Sequence, residues 1–213
     1  MIKLEKGVEP EILQQRMEDW TKDLLAAVTA GDVERVKLLT RRYNHPEVKS
    51  ALKEETRGKC AYCEAYVIDV AHGDIEHVTP KSINRELTFD WANLTFACQI
   101  CNQNKSNKED LLDPYVDEPD EHLFFAGPFA KGRTASGTRT VMELHLNRPS
   151  LIESRNREIE RYADQIEKVF LINDDRIKEL LIQGLFDELN SGRPEFIAAC
   201  RVILARYAPK ALE

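Results

Sequence analysis

Apolar residues recur at helical spacing in the first sixty positions of the chain. The first stripe consists of Ile12, Leu13, Met17, Trp20, Leu24 and Val28. This spacing predicts an amphipathic helix over residues 11–30 that ends at Gly31. Asp32 is placed to cap a second helix, and Pro46, a first-turn residue, opens a short third helix that ends near Arg57. We expect these helices to pack on the rest of the protein, and a face for a partner protein is the alternative.

The pattern changes to short segments between residues 58 and 115. Residues 66–70 and 73–78 could pair as strands, and residues 94–97 form another apolar run. A short helix could start at Asn102, which would give a ββα arrangement. A loop-rich stretch follows, with possible strands at residues 123–125 and 140–144.

Helical periodicity returns in the last third of the chain. Ser150 and Glu153 have the spacing of a capping box, and a second helix is predicted over residues 174–189. Pro194 opens a third helix, on whose apolar face Cys200 is interpreted as a core residue. The first of these helices carries an apolar stripe of Ile152, Ile159, Tyr162, Ile166, Val169 and Phe170.

The predicted fold class is therefore α+β and predominantly helical. We expect four parts, which are an N-terminal helical segment (1–57), a central ββα module (58–115), a loop and strand insertion (116–149) and a C-terminal helical segment (150–213).

Composition adds a constraint on what the chain can bind. The 213 residues are 42% hydrophobic and carry a net charge of −7. Residues 57–113 hold six Lys or Arg against nine Asp or Glu. Nucleic-acid phosphates normally require a basic face, so a bound metal or a partner would have to supply much of the attraction. No apolar run of membrane-spanning length occurs and residues 1–6 do not resemble a signal peptide, so we expect a cytoplasmic protein.

Four cysteines carry the strongest chemical signal. Cys60 and Cys63 form one C-x2-C pair, Cys98 and Cys101 form another, and 34 residues separate the pairs. In a reducing compartment such pairs indicate metal ligands, and four thiolates can close a tetrahedral structural Zn²⁺ site. A redox C-x-x-C protein is the alternative, although no thioredoxin-like context accompanies the pairs.

A candidate catalytic histidine lies between the two cysteine pairs. His77 could take a proton from water near neutral pH. Glu76 and Asn102 offer the oxygen donors that suit Mg²⁺ or Mn²⁺. Asp74 lies on the same strand face as Glu76, where it could be a further ligand or a solvated acid.

Together these motifs resemble the HNH endonucleases of the zinc-bound ββα-metal type. The elements that carry the resemblance are Cys60/Cys63, Glu76-His77, Asn93, and Cys98/Cys101-Asn102 followed by Lys105. The resemblance implies that the cysteines hold structural zinc and that His77 is the general base. It also implies that Glu76 and Asn102 hold the catalytic Mg²⁺ or Mn²⁺ and that Asn93 braces the loop that carries His77.

Two further expectations follow from that resemblance. Lys81 and Lys105 are the candidate contacts to nucleic acid. Many family members have Asp or His where Glu76 stands, and the longer side chain of Glu76 could hold its cation more loosely or elsewhere.

A narrower resemblance extends beyond the central motifs, to the HNH effectors of Septu and retron-linked antiphage systems. The matching segments are Met1-Ile-Lys-Leu4, Cys60-Ala-Tyr-Cys-Glu64, Ile75-Glu-His-Val-Thr-Pro-Lys81, and Leu144-His-Leu-Asn-Arg-Pro149 with Arg155. A plain turn before a helix is the other interpretation of residues 146–148.

This resemblance implies a toxic nuclease that acts with an ABC-type ATPase and, in the retron-linked systems, with a retron RNA–DNA component and its reverse transcriptase. DNA and structured RNA such as tRNA both remain open as the substrate. The alternative function is a non-catalytic zinc module that binds nucleic acid or protein. The presence of His77 together with Glu76 and Asn102 favours the nuclease, because a binding module needs none of them.

Overall fold

The computed structural model describes residues 1–68 and 71–207, which form nine α-helices and four short strands. The helices are α1 (Glu11–Thr29), α2 (Val33–Thr40), α3 (Pro46–Glu55), α4 (Gln99–Lys105), α5 (Pro119–His122), α6 (Ala135–Glu143), α7 (Pro149–Phe170), α8 (Asp175–Asn190) and α9 (Ile197–Tyr207). The strands are β1 (Asp74–His77), β2 (Leu94–Ala97), β3 (Leu123–Ala126) and β4 (Phe129–Gly132). No described helix is both long enough and apolar enough to span a membrane.

The three helices predicted for the N-terminal segment are present in the structure. The Asp32 side chain accepts a hydrogen bond from the Arg35 amide, so it caps α2 as expected. The buried residues of α1 are Leu13, Trp20, Leu24 and Ala27. Helix α3 packs against β1 and β2, so the N-terminal segment covers the central module.

The central sheet differs from the expected pairing. Strand β1 pairs antiparallel with β2, with His77 opposite Leu94, and not with residues 66–70. Tyr66 forms an isolated bridge with Lys59, and residues 69 and 70 lie outside the described part of the chain. Gly73, directly before β1, has φ of +61° and its α-carbon faces the Phe96 ring, so residue 73 cannot extend the strand.

The short helix of the central module begins earlier than expected. Cys98 is the N-cap residue of α4, and its sulfur accepts a hydrogen bond from the Cys101 amide at 3.4 Å. Together with β1 and β2 this helix forms the predicted ββα arrangement.

Of the two strands predicted within residues 116–149, the structure has one. Residues 123–125 lie in β3, which forms a hairpin with β4. Residues 140–144 are not a strand, because α6 runs through Glu143 with Thr134 as its N-cap. Thr140 and Leu144 are both buried and stand four residues apart, so helical periodicity prevails over the β-propensity of Thr-Val-Met.

The C-terminal helices follow the apolar pattern, but the predicted capping box is wrong, and the third helix begins at Ile197 and not at Pro194. Helix α7 starts at Pro149, and its N-cap residue Arg148 makes no side-chain cap. Ser150 is therefore already inside the helix, because proline favours the first helical position. Asp174 caps α8, and Cys200 is fully buried as expected.

The four-part division of the chain stays a prediction. Side chains do cross its boundaries, since the Lys59 ammonium donates to the carbonyl oxygens of Gly192 and Pro194. The side chain of Tyr207 and residues 208–213 lie outside what the structure describes.

A buried arginine joins the insertion to the C-terminal helices. Arg155 is 1% exposed and donates hydrogen bonds to the carbonyl oxygens of Leu146 at 2.7 Å and Pro128 at 3.1 Å. Its guanidinium also lies near the Phe125 and Phe196 rings. Arg155 therefore fixes the chain segment that leads into α7.

We expect Arg155→Met to lower the free energy of unfolding by about 2–4 kcal/mol, because two carbonyl oxygens lose a charged donor. Urea denaturation of the zinc-loaded protein measures this change. Arg157→Met is the matched control, because Arg157 is exposed on the same helix and its loss should cost no more than about 0.5 kcal/mol. Equal losses in both variants would contradict the structural role of Arg155.

Candidate metal centre and active site

The four thiol groups of the two C-x2-C pairs meet at one point of the described structure. The sulfur atoms of Cys60, Cys63, Cys98 and Cys101 all lie within 4.8 Å of one another, and those of Cys63 and Cys98 are 3.9 Å apart. Zn–S bonds of about 2.3 Å in a tetrahedron separate sulfur atoms by about 3.8 Å. The cluster therefore has the ligand type and the size that structural zinc requires.

Backbone contacts bring the two cysteine pairs together. The Ala61 amide donates to the Phe96 carbonyl, which ties the first pair to β2.

The pKa of the Cys63 thiol lies well below its usual range because it accepts hydrogen bonds from the other three cysteines, and Arg148 adds a favourable charge. A lowered pKa favours the thiolate form that binds metal. Without a metal, the pKa values of the Cys60 and Cys101 thiols lie well above that range, because burial and the neighbouring thiols oppose a second negative charge.

Arg148 reaches the cluster from outside the central module. Its two terminal nitrogens lie 3.6 Å from the Cys63 sulfur and 3.8 Å from the Cys101 sulfur. The neighbouring Asn147 exchanges two hydrogen bonds with the backbone of Ala130 in β4. The segment 146–148 is therefore more than a plain turn, because it fastens the insertion to the thiol cluster and brings a positive charge to it.

His77 ends β1 in a buried position. Its Nε2 atom lies 2.9 Å from the carbonyl oxygen of Thr88. A carbonyl oxygen only accepts hydrogen bonds, so Nε2 carries the proton and Nδ1 is the unprotonated nitrogen. Burial lowers the pKa of His77 to about 4, with Lys81 and Lys105 adding to the effect. The imidazole is therefore neutral at neutral pH, as a proton acceptor must be.

Asn93 makes the contacts that a bracing residue would make. Its side-chain oxygen accepts from the Thr79 amide at 2.7 Å, and its nitrogen donates to the carbonyl oxygens of Thr79 and Leu87 at 3.0 and 3.1 Å. The Asn93 carbonyl also accepts from the Val78 amide. These bonds fix both ends of the loop that follows His77.

Glu76 is paired with a lysine of α4. The Lys105 ammonium lies 2.9 Å from the Glu76 carboxylate and donates to the His77 carbonyl oxygen at 2.7 Å. Burial raises the pKa of Glu76, and Lys105 partly offsets this rise. The Lys105 side chain is only 2% exposed, so its position does not support the expected contact with nucleic acid. Lys105 instead holds the strand end that carries both candidate catalytic residues.

Asn102 is paired with Asp74 on β1. The Asn102 side-chain nitrogen donates to the Asp74 carboxylate at 2.9 Å. Asp74 is therefore not simply a solvated acid. The side-chain oxygen of Asn102 and the carboxylate of Glu76 provide the hard oxygen donors that Mg²⁺ or Mn²⁺ prefers, so the residues present fit a catalytic cation.

The sequence pattern did not indicate one neighbour of His77. The Tyr43 ring packs edge-on against the imidazole with centroids 4.6 Å apart, and the Lys81 ammonium lies 5.0 Å from the Tyr43 ring centroid. Tyr43 belongs to the turn after α2, far from the central module in sequence. Arg41 and Arg42 directly before it are the local signal that could have pointed to a functional turn.

We expect Cys101→Ala to lose bound zinc, because three sulfur ligands leave the metal site open. Elemental analysis of the purified protein measures zinc per chain. Cys200→Ala is the matched control, because Cys200 is equally buried but is not part of the thiol cluster. Full zinc content in Cys101→Ala would contradict the four-thiolate site.

The comparisons with known proteins agree with this geometry. The HNH endonuclease family model matches residues 60–108. The chain is 36% identical over 110 residues to Septu protein PtuB of Bacillus thuringiensis, across 49% of this chain and 43% of that protein. It is 30% identical over 195 residues to Septu protein PtuB of Bacillus mycoides (strain KBAB4), across 73% of this chain and 66% of that protein.

The chain thus spans less than two thirds of the length of either relative. The family match covers the thiol cluster and the candidate active site, and the PtuB similarity extends well beyond them. Residues 60–108 therefore resemble the HNH endonucleases, and the chain is similar to Septu PtuB proteins over a longer stretch.

Proposed function

We propose that this protein is a metal-dependent nuclease that hydrolyses phosphodiester bonds of nucleic acid with His77 as the general base. The HNH endonuclease domain supports nuclease activity. The observation that carries the proposal is the hydrogen bond from His77 Nε2 to the Thr88 carbonyl, because it leaves Nδ1 as the proton acceptor.

The surrounding residues support a site for a phosphodiester. Lys81 is half-buried, and its ammonium lies 5.0 Å from the centroid of the Tyr43 ring that packs on His77, so it is placed to meet a phosphate near the imidazole. The Tyr43 ring contacts both the Lys81 ammonium and His77, which restricts where each of them points.

The hydrolysis step follows from these positions. His77 takes a proton from water, and the resulting hydroxide attacks phosphorus in line with the leaving oxygen. The P–O bond to the leaving oxygen breaks, and this oxygen takes up a proton from water. Glu76 and Asn102 would hold a Mg²⁺ or Mn²⁺ ion that offsets the charge developing on the phosphate. Asn93 keeps the loop after His77 in place during the reaction. In RNA, the 2′-hydroxyl offers a second nucleophile.

We expect His77→Ala to reduce cleavage at least about 100-fold, because it removes the general base. The assay follows plasmid DNA and small RNA separately, with Mg²⁺, with Mn²⁺ and with EDTA, and with a PtuA-like ATPase co-expressed. EDTA should abolish cleavage, and the degraded pool identifies the substrate.

His72→Ala is the matched control, since His72 is exposed and lies five residues before His77. Wild-type activity in His77→Ala would overturn the catalytic assignment. The non-catalytic zinc module that binds nucleic acid or protein would then be the better description.

We further propose that the nuclease is the toxic effector of an antiphage defence complex with a PtuA-like ABC-type ATPase. The similarity to two Septu PtuB proteins supports this role. The net charge of −7 supports a partner as well, because an acidic chain attracts phosphates poorly by itself. A retron RNA–DNA component with its reverse transcriptase stays a prediction from the sequence resemblance.

The hairpin of α7 and α8 is the surface that we assign to this partner. Leu171 and Leu180 are 81% and 71% exposed, and Ile177 and Leu181 are also exposed on α8. Four exposed aliphatic side chains within eleven residues are unusual for a face that meets only water. Helix α8 packs on α7 and α9 through Phe186 and Leu189, so the exposed side chains lie toward its other end.

We expect Leu180→Asp to prevent co-elution with the co-expressed ATPase, because it places a charge in the apolar contact. Size-exclusion chromatography measures the complex. Val116→Asp is the matched control, because Val116 is 74% exposed but lies outside the hairpin. Loss of the complex in both variants, or in neither, would contradict the assignment of this surface.

A further inference from the structure

Two carboxylates of β1 each meet a different residue of α4. Asp74 and Glu76 are two residues apart, so they lie on the same face of the strand. Asn102 and Lys105 are three residues apart, so they are neighbours on the helix surface. The contacts form two parallel rungs, Asp74 with Asn102 and Glu76 with Lys105, at 2.9 Å each.

The two rungs have different chemistry. The Glu76–Lys105 rung is an ion pair between buried groups, whereas the other joins a carboxylate to a neutral amide. The ion pair of Lys105 with Glu76 already joins α4 to β1, so the bond between Asn102 and Asp74 is not needed for that purpose. The Asp74 rung therefore calls for a separate explanation.

The amide of Asn102 has two unlike ends. Its nitrogen can only donate hydrogen bonds and its oxygen can only accept them, whereas an ionised carboxylate only accepts. Asp74 therefore selects the nitrogen end of the amide. The oxygen end, which is the only atom of this side chain able to bind a hard cation, is left facing away from Asp74.

We propose that Asp74 is a positioning residue that fixes the Asn102 amide with its oxygen available as a ligand of the catalytic cation. The inference rests on the cation site of the proposed function and assigns to Asp74 a role in it. Carboxylates that orient a metal ligand through a hydrogen bond contribute in this way to many metal sites.

This role of Asp74 predicts how strongly its removal should weaken binding of the catalytic cation. Without Asp74 the amide can turn its nitrogen toward the cation, which removes one ligand in part of the molecules. Loss of such an orienting partner typically weakens metal binding about 10- to 100-fold. Because Asp74 acts through Asn102, its removal should have no further effect once the Asn102 side chain is absent.

A double-mutant cycle on Mn²⁺ affinity tests the inference without any substrate. Asp74→Ala, Asn102→Ala and the double variant are compared with wild type in the zinc-loaded state. Electron paramagnetic resonance of free Mn²⁺ gives the dissociation constants. Zinc content and thermal midpoint show whether each variant keeps its fold, and Asp164→Ala, an exposed acid on α7, is the control for loss of one negative charge.

We expect Asp74→Ala to bind Mn²⁺ about 10-fold more weakly and the double variant to bind no more weakly than Asn102→Ala alone. Unchanged affinity in Asp74→Ala would overturn the inference. Additive losses would also overturn it, because Asp74 would then act on the cation independently of Asn102. If wild type bound no Mn²⁺ at all, the cation of the proposed function would itself fall.

Discussion

Four thiol groups that meet at one point are placed to hold the central module together through a zinc ion. The strands β1 and β2 have four residues each, and a two-stranded ribbon of this length has little stability of its own. The cluster joins the chain before β1 to the start of α4, so it closes the loop that contains both strands. Zinc at this cluster would contribute directly to folding, since the ligands come together only in the folded chain.

The candidate active site depends on the same cluster. Cys98 begins α4, and the next two turns of this helix carry Asn102 and Lys105. Asn102 donates to the carboxylate of Asp74, and Lys105 pairs with that of Glu76, both in β1. The buried Lys105 donates a hydrogen bond to the backbone carbonyl oxygen of His77, the candidate general base, and so links α4 to it. A displaced α4 would therefore disturb the metal ligands and the imidazole together.

Residues from outside the family match complete both centres. Arg148, at the start of α7, supplies positive charge to the sulfur cluster. Tyr43, in the turn after α2, contacts His77 and Lys81. The N- and C-terminal segments are thus structural supports of the central module.

Sequence alone determined the features whose signals are local. The two C-x2-C pairs predict the thiol cluster, and Asp32 predicts the start of α2; the structure confirms both. The catalytic role of the Glu76-His77 dipeptide stays a prediction. Tertiary structure decided the pairing of β1 with β2, the burial of Lys105 and the contact of Tyr43 with His77. Each of these joins residues that are far apart along the chain. Such contacts depend on how the elements pack, and neither hydrophobic periodicity nor motif spacing contains that information.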